Sequence, residues 1–165
     1  MTQKKKDLSK TEGSKVPSAK GMRFAIVYSE WNYAITGALK NGAYNTLVKN
    51  GADKNDIVIH SVPGSFELSL GGQLLAKKKK IDAVICLGCV IQGETRHFDF
   101  ICDAVAKGIT DVSLKYNKPV IFGVLTPDNM QQAKDRAGGK HGNKGDEAAI
   151  TAIKMVHLQK VTEKR

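Results

Sequence analysis

The chain has 165 residues, of which 41% are hydrophobic and 25% are charged, and its formal net charge is +10. This length fits one domain that buries roughly 70% of its unfolded surface, so folding does not require disulfides or metals. No apolar run approaches the ~20 residues of a membrane span, and no signal-peptide pattern opens the chain, so we expect a cytoplasmic protein without a membrane partner.

The first twenty residues differ in composition from the rest of the chain. They contain six lysines, several serines and threonines and almost nothing apolar, which is typical of disorder. We therefore predict a disordered basic tail over residues 1–20 and one domain over residues 21–165. The charge raises nucleic acid as a partner, but no aromatic residues alternate with the lysines to stack on bases, so we favour a solvated surface and no nucleic-acid partner.

Beyond the tail, short apolar runs alternate with longer segments of helical periodicity. Predicted strands cover 23–28, 56–62, 81–87 and 119–125, and predicted helices cover 33–50, 66–79, 97–115, 128–137 and 145–160. This alternation predicts an α/β fold, in which right-handed crossovers build a parallel sheet with helices on both faces. Ligands of such sheets bind beyond the carboxyl ends of the strands, so we expect the four segments that follow the strands to share one edge.

The segment that follows the third predicted strand carries an anion-site pattern, Gly93-Glu94-Thr95, at the start of a helix. Glycine permits close approach of the backbone, and the free N–H groups and the helix dipole attract an anion. A threonine cap without a ligand would give the same triplet. The chain contains neither a Walker loop nor a G-x-G-x-x-G dinucleotide fingerprint.

Three other side chains at this edge are candidates for a site. His97 lies one turn further into the same helix and could carry a proton near neutral pH, or it could be structural. Trp31, the only tryptophan, could stack on a planar heterocycle or could cap the sheet edge. Glu67 could accept hydrogen bonds from ligand hydroxyls or supply a charge at a helix N-terminus.

The pattern of the cysteines favours buried packing residues over a redox or zinc site. Their odd number excludes a complete disulfide framework, and Cys86-Leu-Gly-Cys89 forms a C-x-x-C within and just beyond an apolar strand. A redox or zinc site needs this pair on a turn before a helix, or a second pair elsewhere. We therefore predict buried cysteines, and no metal or cofactor.

Four motifs in this chain, in this order and at this spacing, resemble the 6,7-dimethyl-8-ribityllumazine synthase family. They are Ser29-Glu30-Trp31-Asn32, Pro63-Gly64-Ser65-Phe66-Glu67-Leu68, Gly93-Glu94-Thr95-Arg96-His97-Phe98-Asp99 and Arg136-Ala137-Gly138-Gly139-Lys140-His141-Gly142-Asn143-Lys144-Gly145. The resemblance covers about residues 22–160. It implies a flavodoxin-like, three-layer α/β/α sandwich with a four-stranded parallel sheet. It also implies the penultimate step of riboflavin biosynthesis, without cofactor or metal.

The resemblance assigns a role to each matching position. Trp31 would stack on the pyrimidine, and His97 would be the proton donor. The pyrimidine and ribityl chain would contact Asn32, Ser65, Phe66, Glu67 and the backbone of Cys89, Val90 and Ile91. The phosphate would bind Thr95 and the backbone N–H of Glu94. A neighbouring subunit would supply Phe122 and Arg136, with Arg136 directed at the phosphate, and Lys144 would be a further cation. Ser69 departs from the family, in which many members have proline, but removes no group that the reaction requires.

The resemblance also implies an assembly. Members form homopentamers, and some close twelve pentamers into a 60-subunit shell; the short glycine-rich linker of residues 138–145 favours the shell. Riboflavin synthase is a candidate partner, beside the two small-molecule substrates. A non-catalytic flavin- or lumazine-binding protein is the alternative, and it would keep Trp31 and Glu67 but need neither His97 nor Arg136.

Overall fold

A computed structural model of the chain describes residues 15–163. At its centre lies a sheet of β1 (Phe24–Ser29), β2 (Ile57–Val62), β3 (Ala83–Cys89) and β4 (Val120–Leu125). The strands are arranged in the order β2-β1-β3-β4, and every neighbouring pair is parallel. Parallel neighbours need crossover connections, which the helices between the strands provide. The predicted α/β class and the four-stranded parallel sheet are confirmed.

In the described part of the chain, five α-helices flank the sheet: α1 (Tyr33–Lys49), α2 (Leu68–Ala76), α3 (His97–Tyr116), α4 (Met130–Arg136) and α5 (Lys144–Glu163). Helices α1 and α5 pack against each other on one face, and α2 and α3 pack against each other on the opposite face. Successive side chains of a strand point to opposite faces. In β1, Phe24 and Ile26 therefore join the core beneath α1 and α5, whereas Ala25 and Val27 join the core beneath α2 and α3.

Helix α2 is shorter than the predicted 66–79. A 3₁₀ turn, Ser65–Glu67, precedes it, and the helix ends at Ala76, before the exposed lysine run of residues 77–80. The ammonium group of Lys118 donates to the carbonyl oxygens of Ala76 and Lys78, at 2.7 and 2.8 Å. The Ala76 carbonyl lies in the last turn of α2, where carbonyl groups lack partners within the helix, so its bond to Lys118 stabilises the C-terminal end. Ser69 lies in the first turn without disrupting the helix.

The glycine-rich linker between α4 and α5 forms a small antiparallel hairpin of β5 (Ala137–Gly139) and β6 (Gly142–Asn143). Gly138 and Gly142 have φ angles of 110° and 75°, which side chains with a Cβ rarely adopt. The hairpin brings α5 back over the sheet immediately after α4. The sequence predicted a plain linker here.

The ordered domain begins before residue 21, contrary to the predicted boundary. Val16 packs against the core, and Ala19 is fully buried. The N–H of Ala19 donates to the carbonyl oxygen of Asn50 at 2.8 Å, which fixes the segment to the end of α1. The end of the predicted tail is therefore part of the fold, and residues 1–14 lie outside the described residues. Within residues 15–163, no helix is long and apolar enough to cross a membrane.

Both cysteines of the C-x-x-C pair lie within β3, as buried packing residues. Cys86 is fully buried and Cys89 is 3% exposed, and both are free thiols. Burial raises the pKa of Cys86 to about 12 and that of Cys89 to about 11, because it disfavours the thiolate. Among residues 15–163, no group of three or more side chains is arranged to hold a metal ion.

Candidate active site

A pocket of about 200 Å³ lies at the carboxyl edge of the sheet. The ends of β1, β2 and β3 and the first turn of α3 contribute to it, which is the arrangement expected of a parallel sheet. Its lining includes eight of the predicted site residues: Trp31, Asn32, Ser65, Phe66, Cys89, Val90, Ile91 and His97. Ile101, one turn beyond His97, also lines it, although nothing in the sequence distinguishes that residue from the other apolar positions of α3.

The indole of Trp31 is 70% exposed and lies over the backbone of Gly64. Backbone hydrogen bonds fix the loop that carries it. The N–H of Trp31 donates to the carbonyl oxygen of Pro63 at 3.1 Å, and that of Glu30 donates to Val62 at 2.8 Å. The loop after β1 is therefore attached to the loop after β2, and the ring is presented at the mouth of the pocket.

Asn32 connects this loop to β3. Its backbone adopts a left-handed conformation, with φ of 59°, which asparagine tolerates better than most residues. Its side-chain Nδ2 donates to the carbonyl oxygen of Cys89 at 3.0 Å. The Nδ2 group of Asn32 is therefore engaged within the protein, and its amide oxygen can still accept a hydrogen bond.

Glu67 does not line the pocket, and its carboxylate contributes to the local fold beside it. Its Oε2 accepts a hydrogen bond from the N–H of Gly64 at 3.0 Å, which closes the 3₁₀ turn before α2. Its Oε1 makes no hydrogen bond within residues 15–163 and can accept one from a ligand hydroxyl. The two interpretations of Glu67 from the sequence are therefore compatible in one side chain.

The anion-site triplet is exposed beside the pocket. Gly93, Glu94 and Thr95 line neither of the two pockets that contain predicted site residues. The hydroxyl of Thr95 accepts from the N–H of His97 at 3.4 Å, which is a long and therefore weak hydrogen bond. Gly93, Glu94 and Thr95 are exposed, so an anion could reach the backbone N–H groups that precede α3.

The remaining predicted residues lie together in a second pocket of about 620 Å³, between the edge strand β4 and helices α4 and α5. Phe122, Arg136 and Lys144 all line it. Phe122 is 44% exposed because it lies on the edge strand of the sheet. The guanidinium of Arg136 uses Nη1 to donate to the carbonyl oxygen of Gln132 at 3.0 Å, which leaves its other donors for a ligand.

Lys144 is already paired in the second pocket. Its Nζ lies 2.7 and 2.8 Å from the two carboxylate oxygens of Glu147. Glu147 thus offsets its charge, so Arg136 is the stronger candidate for an anion. The sequence interpretation missed Glu147, although the i,i+3 spacing from Lys144 at a helix start is a recognisable signal.

Asp135 fixes the hairpin that follows Arg136. Its carboxylate accepts a hydrogen bond from Nε2 of Gln131 at 2.9 Å and lies 3.1 Å from Nζ of Lys140. The Gln131 hydrogen bond, followed by that of Lys140, lowers the pKa of Asp135. Its carbonyl oxygen also accepts from the N–H of His141 at 2.8 Å. These contacts hold the end of α4, and with it Arg136, against the turn.

Most of the predicted site residues therefore form two separate groups on one chain. No residue lines both pockets. The first pocket contains Trp31 and His97, the second contains Phe122, Arg136 and Lys144, and Glu67, Glu94 and Thr95 line neither pocket.

Comparison with known proteins agrees with the family resemblance of the sequence motifs. The family model described as 6,7-dimethyl-8-ribityllumazine synthase matches residues 21–160. A protein of that name from Cytophaga hutchinsonii is 64% identical over 156 residues, which cover 94% of this chain and 98% of that protein. Another, from Parabacteroides distasonis, is 55% identical over 152 residues, covering 92% and 95% of the two chains. A third, from Flavobacterium johnsoniae, is 50% identical over 159 residues, covering 96% and 84%. The chain therefore belongs to the 6,7-dimethyl-8-ribityllumazine synthase family.

Proposed function

We propose that the two pockets, on neighbouring copies of the chain, combine into one active site for the reaction of the family. The chain is a transferase of riboflavin biosynthesis. It condenses 5-amino-6-(D-ribitylamino)uracil with 3,4-dihydroxy-2-butanone 4-phosphate to 6,7-dimethyl-8-ribityllumazine, with loss of phosphate and water. The observation that carries the proposal is the separation of the predicted residues into two groups.

The first pocket supplies the pyrimidine half of the site. Its volume of about 200 Å³ is below the ~300–1,000 Å³ typical of complete ligand sites. It can hold the flat ring of one substrate, stacked on the exposed indole of Trp31. Ser65, Phe66 and the backbone of residues 89–91 surround the ring, and the free Oε1 of Glu67 accepts from the ribityl hydroxyls.

The second pocket supplies the phosphate half from the neighbouring copy. Arg136 is a planar donor fork that matches phosphate oxygens. Glu147 offsets the charge of Lys144, so this pocket attracts the anion mainly through Arg136. On the first copy, the backbone N–H of Glu94 and the hydroxyl of Thr95 complete the phosphate contacts at the start of α3. Phe122, on the edge strand, covers the pyrimidine from the partner's side.

The reaction depends mainly on orientation. An amine attacks a ketone, water and phosphate leave, and a second bond closes the ring. Holding both reactants in place is worth up to ~7–11 kcal/mol by effective molarity. One positioned acid–base group contributes ~10²–10⁴-fold in rate, or about 3–5 kcal/mol. His97, exposed at the pocket edge, donates or accepts the proton during these steps, but it is the smaller contribution.

The surface of the isolated chain supports an assembly. Large apolar side chains are exposed on three helices: Leu70, Leu74, Phe100, Leu114, Met155 and Leu158. Such surfaces typically mark interfaces between protein chains. A homopentamer would cover part of them and bring the two pockets together. The tight hairpin between α4 and α5, which carries no insertion, supports further closure into a 60-subunit shell in the cytoplasm. Light scattering distinguishes the two, and co-elution tests riboflavin synthase as a partner.

A direct assay tests this function. Purified protein is mixed with both substrates, and the appearance of lumazine fluorescence is followed. We expect turnover that requires both substrates and releases phosphate in equal amount. A folded protein that binds the lumazine but never forms it would instead support the non-catalytic binding protein. His97 in the first pocket and Arg136 in the second favour the enzyme.

A further inference from the structure

We infer that Gly64 is a positioning residue for Trp31 and thereby sets the affinity for the pyrimidine substrate. This inference rests on the proposed function, because it concerns the stacking surface of that site. The residue lies in the turn between β2 and α2 and is buried. It does not line the pocket itself but contacts the indole of Trp31, which does.

The indole of Trp31 lies so close to Gly64 that a Cβ atom on residue 64 would force the ring to move. A Cβ placed on Gly64 would lie 2.9 Å from Cε3 and 3.0 Å from Cζ3 of Trp31. Carbon atoms in optimal contact are ~3.5–4.0 Å apart. An added methyl group would therefore displace the six-membered ring of the indole by roughly 0.5–1 Å.

The backbone of Gly64 does not explain why glycine is present. Its φ and ψ angles are −132° and 175°, an extended conformation that every residue adopts readily. Its N–H donates to Glu67, which any residue except proline could do. The close approach of the indole is therefore the main constraint, together with Oε2 of Glu67, which lies 3.0 Å from the same Cβ position.

An added methyl group at residue 64 should weaken binding of the pyrimidine substrate more than it destabilises the fold. Trp31 is 70% exposed, so its ring can move outward without disrupting the core. The loop backbone stays attached through the hydrogen bond from Trp31 to Pro63. A displaced ring, however, changes its position relative to the pocket that it lines. Stacking depends on ring separation and offset, so the pyrimidine loses part of that contact.

Gly64→Ala tests the inference in two independent ways. Because Trp31 is the only tryptophan, acrylamide quenching of intrinsic fluorescence reports the position of this indole without substrate. We expect a change in the quenching constant of at least ~1.5-fold. In steady-state assays, we expect the KM for the pyrimidine substrate to rise about 5–20-fold, with the KM for the phosphorylated substrate changed less than ~2-fold.

A double-mutant cycle with Trp31→Ala separates the indole contact from the Glu67 contact. If Gly64 acts through the indole, adding Gly64→Ala to Trp31→Ala changes the pyrimidine KM by less than ~2-fold. An equal rise of KM in both backgrounds, or unchanged quenching and KM in the single variant, overturns the inference. If Gly64→Ala alone does not fold, recovery of folding in the double variant supports the steric contact, and failure of both overturns it. A wild-type protein without turnover would contradict the proposed function, whereas the quenching result would still decide the role of Gly64.

Discussion

Gly93→Ala separates the stability of the fold from binding of the phosphate. A Cβ added at Gly93 meets no atom within 4 Å, and the residue does not have a positive φ angle. Neither packing nor backbone conformation in the described chain therefore requires glycine there. The remaining reason is the close approach of a ligand to the N–H groups that precede α3.

The two effects of this substitution should have opposite signs. Alanine restricts the unfolded chain, so the free energy of unfolding should rise by about 0.4–1 kcal/mol. The methyl group would occupy the space in front of the backbone donors. Loss of one charge-assisted hydrogen bond corresponds to about 1.5–3 kcal/mol, so the KM for the phosphorylated substrate should rise about 10–150-fold.

Both quantities are measurable on one preparation. Urea unfolding at fixed protein concentration gives the stability, and initial rates with the other substrate saturating give each KM. The KM for the pyrimidine substrate is the internal control and should stay within ~2-fold, because Gly93 does not line the pyrimidine pocket. A more stable variant with an unchanged KM for the phosphorylated substrate would show that Gly93 faces solvent alone, and the assigned phosphate turn would then be wrong.

Three further predictions follow from the site and the core. His97→Ala should lower kcat about 10–100-fold without abolishing turnover; complete loss of turnover with intact folding and substrate binding would show that proton transfer, rather than orientation, dominates. Arg136→Ala should mainly raise the KM for the phosphorylated substrate, and an unchanged value would remove Arg136 from the phosphate site. Cys86 and Cys89 have pKa values of about 12 and 11, so both thiols stay protonated at pH 8. A thiol reagent should therefore modify at most Cys102 in the native protein, and all three cysteines after unfolding. Rapid labelling of more than one native thiol would contradict the burial of β3.

The elements of the sandwich could be predicted because their signal is local. Alternating apolar strands and helical periodicity predicted the order of the four sheet strands and five helices, and most of their bounds to within a few residues. The hairpin of residues 137–143 was missed, because glycine-rich strands of three and two residues carry no periodicity. The packing of residues 15–20 was missed for a different reason: a lysine-rich composition conceals two apolar anchors, Val16 and Ala19.

The candidate site was predictable only in part. The rule that ligands bind beyond the carboxyl ends of parallel strands brought Trp31 and His97 to one edge. No spacing in the sequence encodes that Phe122 and Arg136 lie in a separate pocket. The family resemblance assigned both residues to a neighbouring subunit, and the structure shows the separate pocket. The contact between Trp31 and Gly64 joins two loops that are distant in sequence, and the ion pair between Lys144 and Glu147 was overlooked although it is local.

Mixed oligomers test most directly whether two copies of the chain build one active site. His97→Ala and Arg136→Ala chains are assembled together in equal amounts and assayed well below the wild-type KM for the phosphorylated substrate. Random pairing places an intact His97 opposite a neighbour's intact Arg136 at about one site in four, so we predict about a quarter of wild-type activity, well above either parent. A mixture no more active than the average of the two parents would show that each chain acts alone, and it would contradict the shared site.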